Sequence, residues 1–87
     1  MTVTRAAPEP ASIVIDARHL RCPLPVIELA KAARGVPAGT LLTVLSTDPA
    51  AEYDVPAWAR LRGHELVGIT PTPGDEATLA ITVRTRA

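Results

Sequence analysis

The chain of 87 residues contains one cysteine, no phenylalanine, two aromatic residues, two histidines and no net charge. Each shortage excludes a class of function. A single cysteine forbids an internal disulfide and any Cys-x-x-Cys redox or zinc pair, which suits a reducing, cytoplasmic setting. The two histidines, His19 and His64, have no ligand spacing to each other, so no metal is expected, and no motif calls for another cofactor. Nine Lys and Arg against nine Asp and Glu leave none of the basic excess with which proteins grip phosphate backbones, so direct nucleic-acid binding is not indicated. No apolar run reaches the length of a signal-peptide core or a membrane span, and no membrane association is expected. Hydrolase readings fail as well, because no histidine is spaced as a base and no Gly-rich phosphate loop is present. With only Tyr53 and Trp58 as aromatics, the core must come from Val, Ile, Leu and Ala. The length allows one domain, near the small end of what folds without disulfides or metals.

The most informative stretch is Arg21-Cys22-Pro23-Leu24-Pro25, which precedes a helical run. Read as a helix start, Cys22 is the N-cap and Pro23 takes the first helical position, where a missing N–H costs nothing. Pro25 stays in the first turn, since the carbonyl it would strike belongs to Arg21, outside the helix. Oxygen-bearing side chains are the usual caps. A sulfur in that place sits over the positive end of the helix dipole, near the first-turn amides of Leu24 and Val26 and beside Arg21. This setting is expected to favour thiolate over thiol by about 0.3–2 kcal/mol. The bland reading, a buried structural cysteine, is the usual one for a free thiol, but Arg21 on one side and a proline on the other argue against apolar packing.

The residues Asp16-Ala17-Arg18-His19-Leu20-Arg21-Cys22-Pro23-Leu24-Pro25 resemble the signature of the TusA/SirA-like sulfur carriers. The likeness extends through Lys31, Gly39, Asp48-Pro49, Asp54-Val55-Pro56 and Gly63-His64-Glu65-Leu66, nearly everything after residue 11. The resemblance implies a two-layer sandwich of two helices on a four-stranded sheet. It also implies that Cys22 accepts a sulfane sulfur as a persulfide from a donor protein, a cysteine desulfurase or rhodanese-type enzyme, and relays it to an acceptor sulfurtransferase. Such a protein is a sulfurtransferase-type carrier rather than a stand-alone multi-turnover enzyme, and it serves tRNA thiolation, cofactor sulfuration or sulfur oxidation. His19 stands where that family usually has glycine, and histidine is among the side chains that accept positive φ more readily. The alternative function is a non-catalytic partner or regulatory module in which Cys22 merely caps a helix.

Taken in order, residues 1–11 read as a mobile N-terminal arm and residues 12–87 as the domain. Ser12–Ala17 is a β-branched first strand. The first helix runs from Pro23 to about Arg34, with Val26, Leu29, Ala30 and Ala33 facing the core, Ile27 widening the stripe, and Gly35 and Pro37 ending it. Glu28 and Lys31 form an i, i+3 pair. Leu41–Leu45, apolar on both faces, is a central strand. Asp48-Pro49 reads as a cap, followed by an irregular turn over 49–53 and a helix from Asp54 to Arg62 presenting Val55, Trp58 and Ala59 inward. Two strands close the chain, Glu65–Thr70 and Ala77–Thr85, the second with Leu79, Ile81 and Val83 on one face, joined by turn chemistry over 71–75. The order β-α-β-α-β-β predicts an α+β two-layer sandwich with both helices on one face of a mixed sheet. Arg18, Arg21 and Lys31 are the candidate basic residues for docking or for stabilising the thiolate.

Overall fold

The computed structural model describes residues 11–86, so the arm expected at the N-terminus lies, except for Ala11, outside the described residues. Six elements follow the predicted order: β1 (Ser12–Ala17), α1 (Leu24–Arg34), β2 (Leu41–Ser46), α2 (Ala51–Arg62), β3 (Glu65–Thr72) and β4 (Asp75–Arg84). The sheet has the order β1-β2-β4-β3. β1 runs parallel to β2 through the α1 crossover, and β4 pairs antiparallel with both β2 and β3.

Strict alternation along β2 sends Leu42, Val44 and Ser46 to the buried face. The antiparallel register sets Leu42 opposite Val83 and Val44 opposite Ile81. Both helices cover that face. Leu29 of α1 and Ala51, Val55 and Ala59 of α2 join these strand residues and Ala17 in one buried cluster. Small residues on α2 let that helix approach the sheet closely, which is how a core without phenylalanine closes. In α1, Leu29 and Pro25 are buried and Val26 and Ala33 pack against the cluster. Ile27, placed on the core stripe by the sequence, is 42% exposed, and Ala32 packs there instead.

Several boundaries differ from expectation. α2 begins at Ala51 rather than Asp54, because Asp48–Ala50 already turn the chain: Ala51 and Asp54 donate to the carbonyls of Asp48 and Ala50 at 3.0 and 2.9 Å. Pro56 therefore lies inside the helix. The carbonyl it leaves without a donor is that of Glu52, which is exposed to water. At the other end Gly63 adopts φ +77°, the left-handed conformation that ends a helix. The last turn is two residues long, Pro73-Gly74, with Thr72 paired to Asp75 and Gly74 at φ +80°. Pro71 is accommodated within β3 because that strand is an edge. β2 stops pairing with β4 at Ser46–Leu79, so the segment from Thr72 to Thr78 extends past the end of β2.

Candidate functional site

β1 and β2 are parallel, and each passes directly into its own helix, so both helices start at the same edge of the molecule. Cys22 sits there, in the connection between β1 and α1. The loop before it is fixed by two contacts. Leu20 donates to the Ala17 carbonyl at 3.2 Å, and His19 donates its backbone N–H to Thr47 Oγ1 at 2.8 Å. His19 has φ +70°, the backbone state that makes glycine or a tolerant residue necessary at this position. Its side chain is exposed.

α1 starts one residue later than the sequence suggested. The Pro23 carbonyl accepts the first helical bond, from Ile27 at 3.0 Å, so Pro23 is the N-cap, Leu24 is the first helical residue and Pro25 the second. No side chain caps this helix. Cys22 thus stands one residue outside the cap, and the Leu24 amide expected near its sulfur is used by the Arg21 carbonyl at 2.8 Å.

The thiol is half-buried and packs against the core cluster. Two carboxylates lie close to it: Asp48, for which a place near the thiol was the less favoured reading beside a cap, and Asp54, which was not expected there. Asp48 Oδ2 accepts the Cys22 backbone N–H at 2.8 Å, while its Oδ1 accepts the Ala50 N–H at 2.9 Å. Asp54, in the first turn of α2, adds a second negative charge to the surroundings of the thiol. Burial, then the hydrogen bond to Asp54, then the charges of Asp48 and Asp54 push the Cys22 thiol up to about 11. The expected lowering of the thiol is not found: burial and two nearby anions raise it instead. The cap role expected of Asp48 is not found, since the N-cap of α2 is Ala50 with no side-chain cap; the carboxylate holds the amides of Ala50 and Cys22 instead.

The three basic candidates do not gather at the sulfur. Arg18 forms a two-bond pair with Asp16, at 2.9 and 2.8 Å, and this pair with the Arg18 backbone N–H holds the Asp16 carboxyl down to about 2. Lys31 pairs with Glu28 at 3.2 Å, as the i, i+3 spacing predicted, seven residues along α1 from its first residue. Arg21 is exposed, and its charge acts on Asp48, whose carboxyl is lowered first by the backbone N–H groups of Cys22 and Ala50 and then by Arg21. A cleft of about 450 Å³ runs beside the cysteine, lined by His19, Leu20, Arg21, Thr47, Asp48 and Pro49.

The chain is similar to known proteins. The family model described as sulfurtransferase TusA matches residues 13–84. A putative sulfur carrier protein, YrkF, of Bacillus subtilis is 40% identical over 58 residues, which are 67% of this chain but 31% of the length of YrkF. The sulfur carrier protein TusA of Pseudomonas putida is 44% identical over 54 residues, 62% of this chain and 68% of that one. The crystal structure of a SirA-like protein from Desulfitobacterium hafniense superposes with a TM-score of 0.73 at 26% identity, covering 83% of this chain and 95% of its own. The family match spans all six elements together with the Cys-Pro-x-Pro start of α1, and the chain accordingly belongs to the sulfurtransferase TusA family.

Proposed function

We propose that the protein carries a sulfane sulfur as a persulfide on Cys22, taking it from a donor persulfide and passing it to an acceptor protein. The observation that supports this most is the placement of the one cysteine, half-exposed, at the end of the sheet where both helices begin and beside an open cleft. Membership of a sulfur-carrier family supports sulfur transfer in general; the persulfide route is this reading's own.

Loading is a thiol exchange. The Cys22 thiol gives its proton to a base, its sulfur attacks the terminal sulfur of the donor persulfide, and the S–S bond of the donor breaks. The donor thiolate leaves with the bonding pair and takes up a proton, so one thiol and one persulfide are exchanged for one persulfide and one thiol. Asp54 and Asp48 are the carboxylates whose charges act on the thiol and either can take its proton. A thiol kept protonated between encounters is slow to oxidise, and the thiolate of a high-pKa thiol is the stronger nucleophile once formed. The donor is expected to be a cysteine desulfurase or a rhodanese-type enzyme and the acceptor a second sulfurtransferase, with the protein acting in the cytoplasm.

Mass spectrometry after incubation with a persulfide-loaded desulfurase or rhodanese tests this reading. The peptide containing Cys22 should gain the mass of one sulfur atom, lose it to reductant, and deliver it to a second protein, whereas Cys22→Ser should do none of these. Loading by no such donor, with delivery to no second protein, would sink the reading.

A further inference from the structure

The helices run the same way, so both finish at the end of the molecule remote from Cys22. α1 has 11 residues, which separates its two ends by about 16 Å. Between the helix ends opens a cleft of about 300 Å³ lined by Ala30, Ala33, Arg34, Trp58, Arg62 and His64. This volume is at the lower end of the range for small-molecule sites.

All four polar side chains of this cleft offer donors. The guanidinium groups of Arg34 and Arg62 have no acceptor, and neither has the Trp58 indole. His64 accepts the Arg86 backbone N–H at Nδ1, at 3.0 Å, so in the neutral ring the proton resides on Nε2 and that atom donates. Among the described residues no carboxylate lines the cleft. Arg18, Lys31, Arg84 and Arg86 each pair with an acidic side chain, but among the described residues Arg34 and Arg62 do not. Both also complement the negative ends of their helices. Each helix end carries roughly half a charge against a full charge on each arginine, which leaves a net surplus of about one positive charge. Beside the arginines, the half-buried Trp58 ring lines the cleft and lies 5.0 Å from the His64 ring at a 40° tilt.

We propose that this cleft binds a small planar ring bearing a phosphate, with Arg34 and Arg62 on the phosphate and Trp58 against the ring. Guanidinium groups suit phosphate because their paired donors match its oxygens, and an indole face accepts any flat ring. The site is independent of Cys22 and of the sulfur-transfer reading.

Trp58 is the one tryptophan, so its fluorescence reports on the cleft directly. The full chain is titrated with adenosine monophosphate, adenosine and inorganic phosphate, with calorimetry in parallel as a readout that does not depend on the indole. Adenosine monophosphate should quench saturably and bind more tightly than either fragment. Arg34→Gln and Arg62→Gln should each weaken it by about tenfold at unchanged circular dichroism, and added salt should weaken it further. No saturable response up to about 10 mM, weaker than any useful affinity, would overturn the proposal. So would adenosine or phosphate binding as tightly as the nucleotide, or undiminished binding by the folded double variant.

Discussion

The Asp48 carboxylate accepts the backbone N–H of Cys22 with one oxygen and that of Ala50 with the other, so a single side chain ties the peptide unit of the thiol to the start of α2. The contact spans 26 residues of sequence and joins the two β-α connections. Asp48→Ala removes both acceptors at once. The variant should melt several degrees lower, and the amides of Cys22 and Ala50 should lose protection from hydrogen exchange, while remote amides of β4 keep theirs. The Asp48 carboxyl is lowered in the folded state. Its contribution is therefore present above the ordinary carboxylate range and disappears as pH falls through its lowered value. Thermal melts of the parent and Asp48→Ala should converge on acidification, and a constant gap would refute the assignment.

Cys22 should alkylate slowly when the protein is alone. Raising the thiol from 9.0 to about 11 removes about 100-fold of the thiolate at neutral pH. The greater nucleophilicity of each thiolate restores about tenfold. Iodoacetamide should then react about tenfold more slowly than with the same residue in a short peptide, and Asp54→Asn should recover part of the difference. The folded state holds this proton more tightly than the unfolded one. The associated stability is complete below the ordinary thiol value and is lost as pH rises toward about 11. Equal rates for protein and peptide would contradict the geometry of the two carboxylates.

Arg21 is the one docking candidate of the three whose side chain has no acidic partner in bonding distance among the described residues. Arg21→Glu should slow sulfur transfer from a donor with little change in melting temperature. Arg18→Glu and Lys31→Glu, which break exposed pairs, should alter transfer less. Single-turnover loading rates for the three variants decide the order.

Leu29 is fully buried in the cluster that joins α1 to the sheet. Leu29→Ala should cost about 3 kcal/mol, within the range for buried leucines, and urea denaturation is the measurement. A loss under about 1 kcal/mol would mean that the core relaxes around the gap.

Much of the fold was legible because each strand carries its own pattern. Ser12–Ala17 is read residue for residue from a β-branched run, and Ile81 and Val83 follow from alternation, whereas the apolar run of β2 did not tell which of its faces is buried. The positive φ of His19 is legible for a similar reason, since a position that usually holds glycine announces its backbone state. The start of α2 was not, because Pro56 is a local veto that an exposed Glu52 carbonyl and the turn at Asp48 override. The character of the thiol was hidden for another reason. Sequence shows Arg21 beside Cys22, whereas the residues that set its chemistry, Asp48 and Asp54, arrive from a later β-α connection. Both carried cap-like signals that already accounted for them. Local signals mark the reactive position; its protonation is a property of the tertiary structure.

The segment between β3 and β4 extends past the end of β2 on the side where β2 runs into Asp48, and it touches the same neighbourhood: Ala77 and Leu79 line a cleft with Ser46, Thr47, Asp48 and Pro49. Pro73, Gly74 and Asp75 at its tip are exposed. Length and composition at that tip can therefore drift without disturbing a core residue. On the carrier reading proposed above, a protein that docks at Cys22 would meet this edge beside a cysteine whose backbone Asp48 holds, so partner choice could change along the edge while the cysteine stays in place.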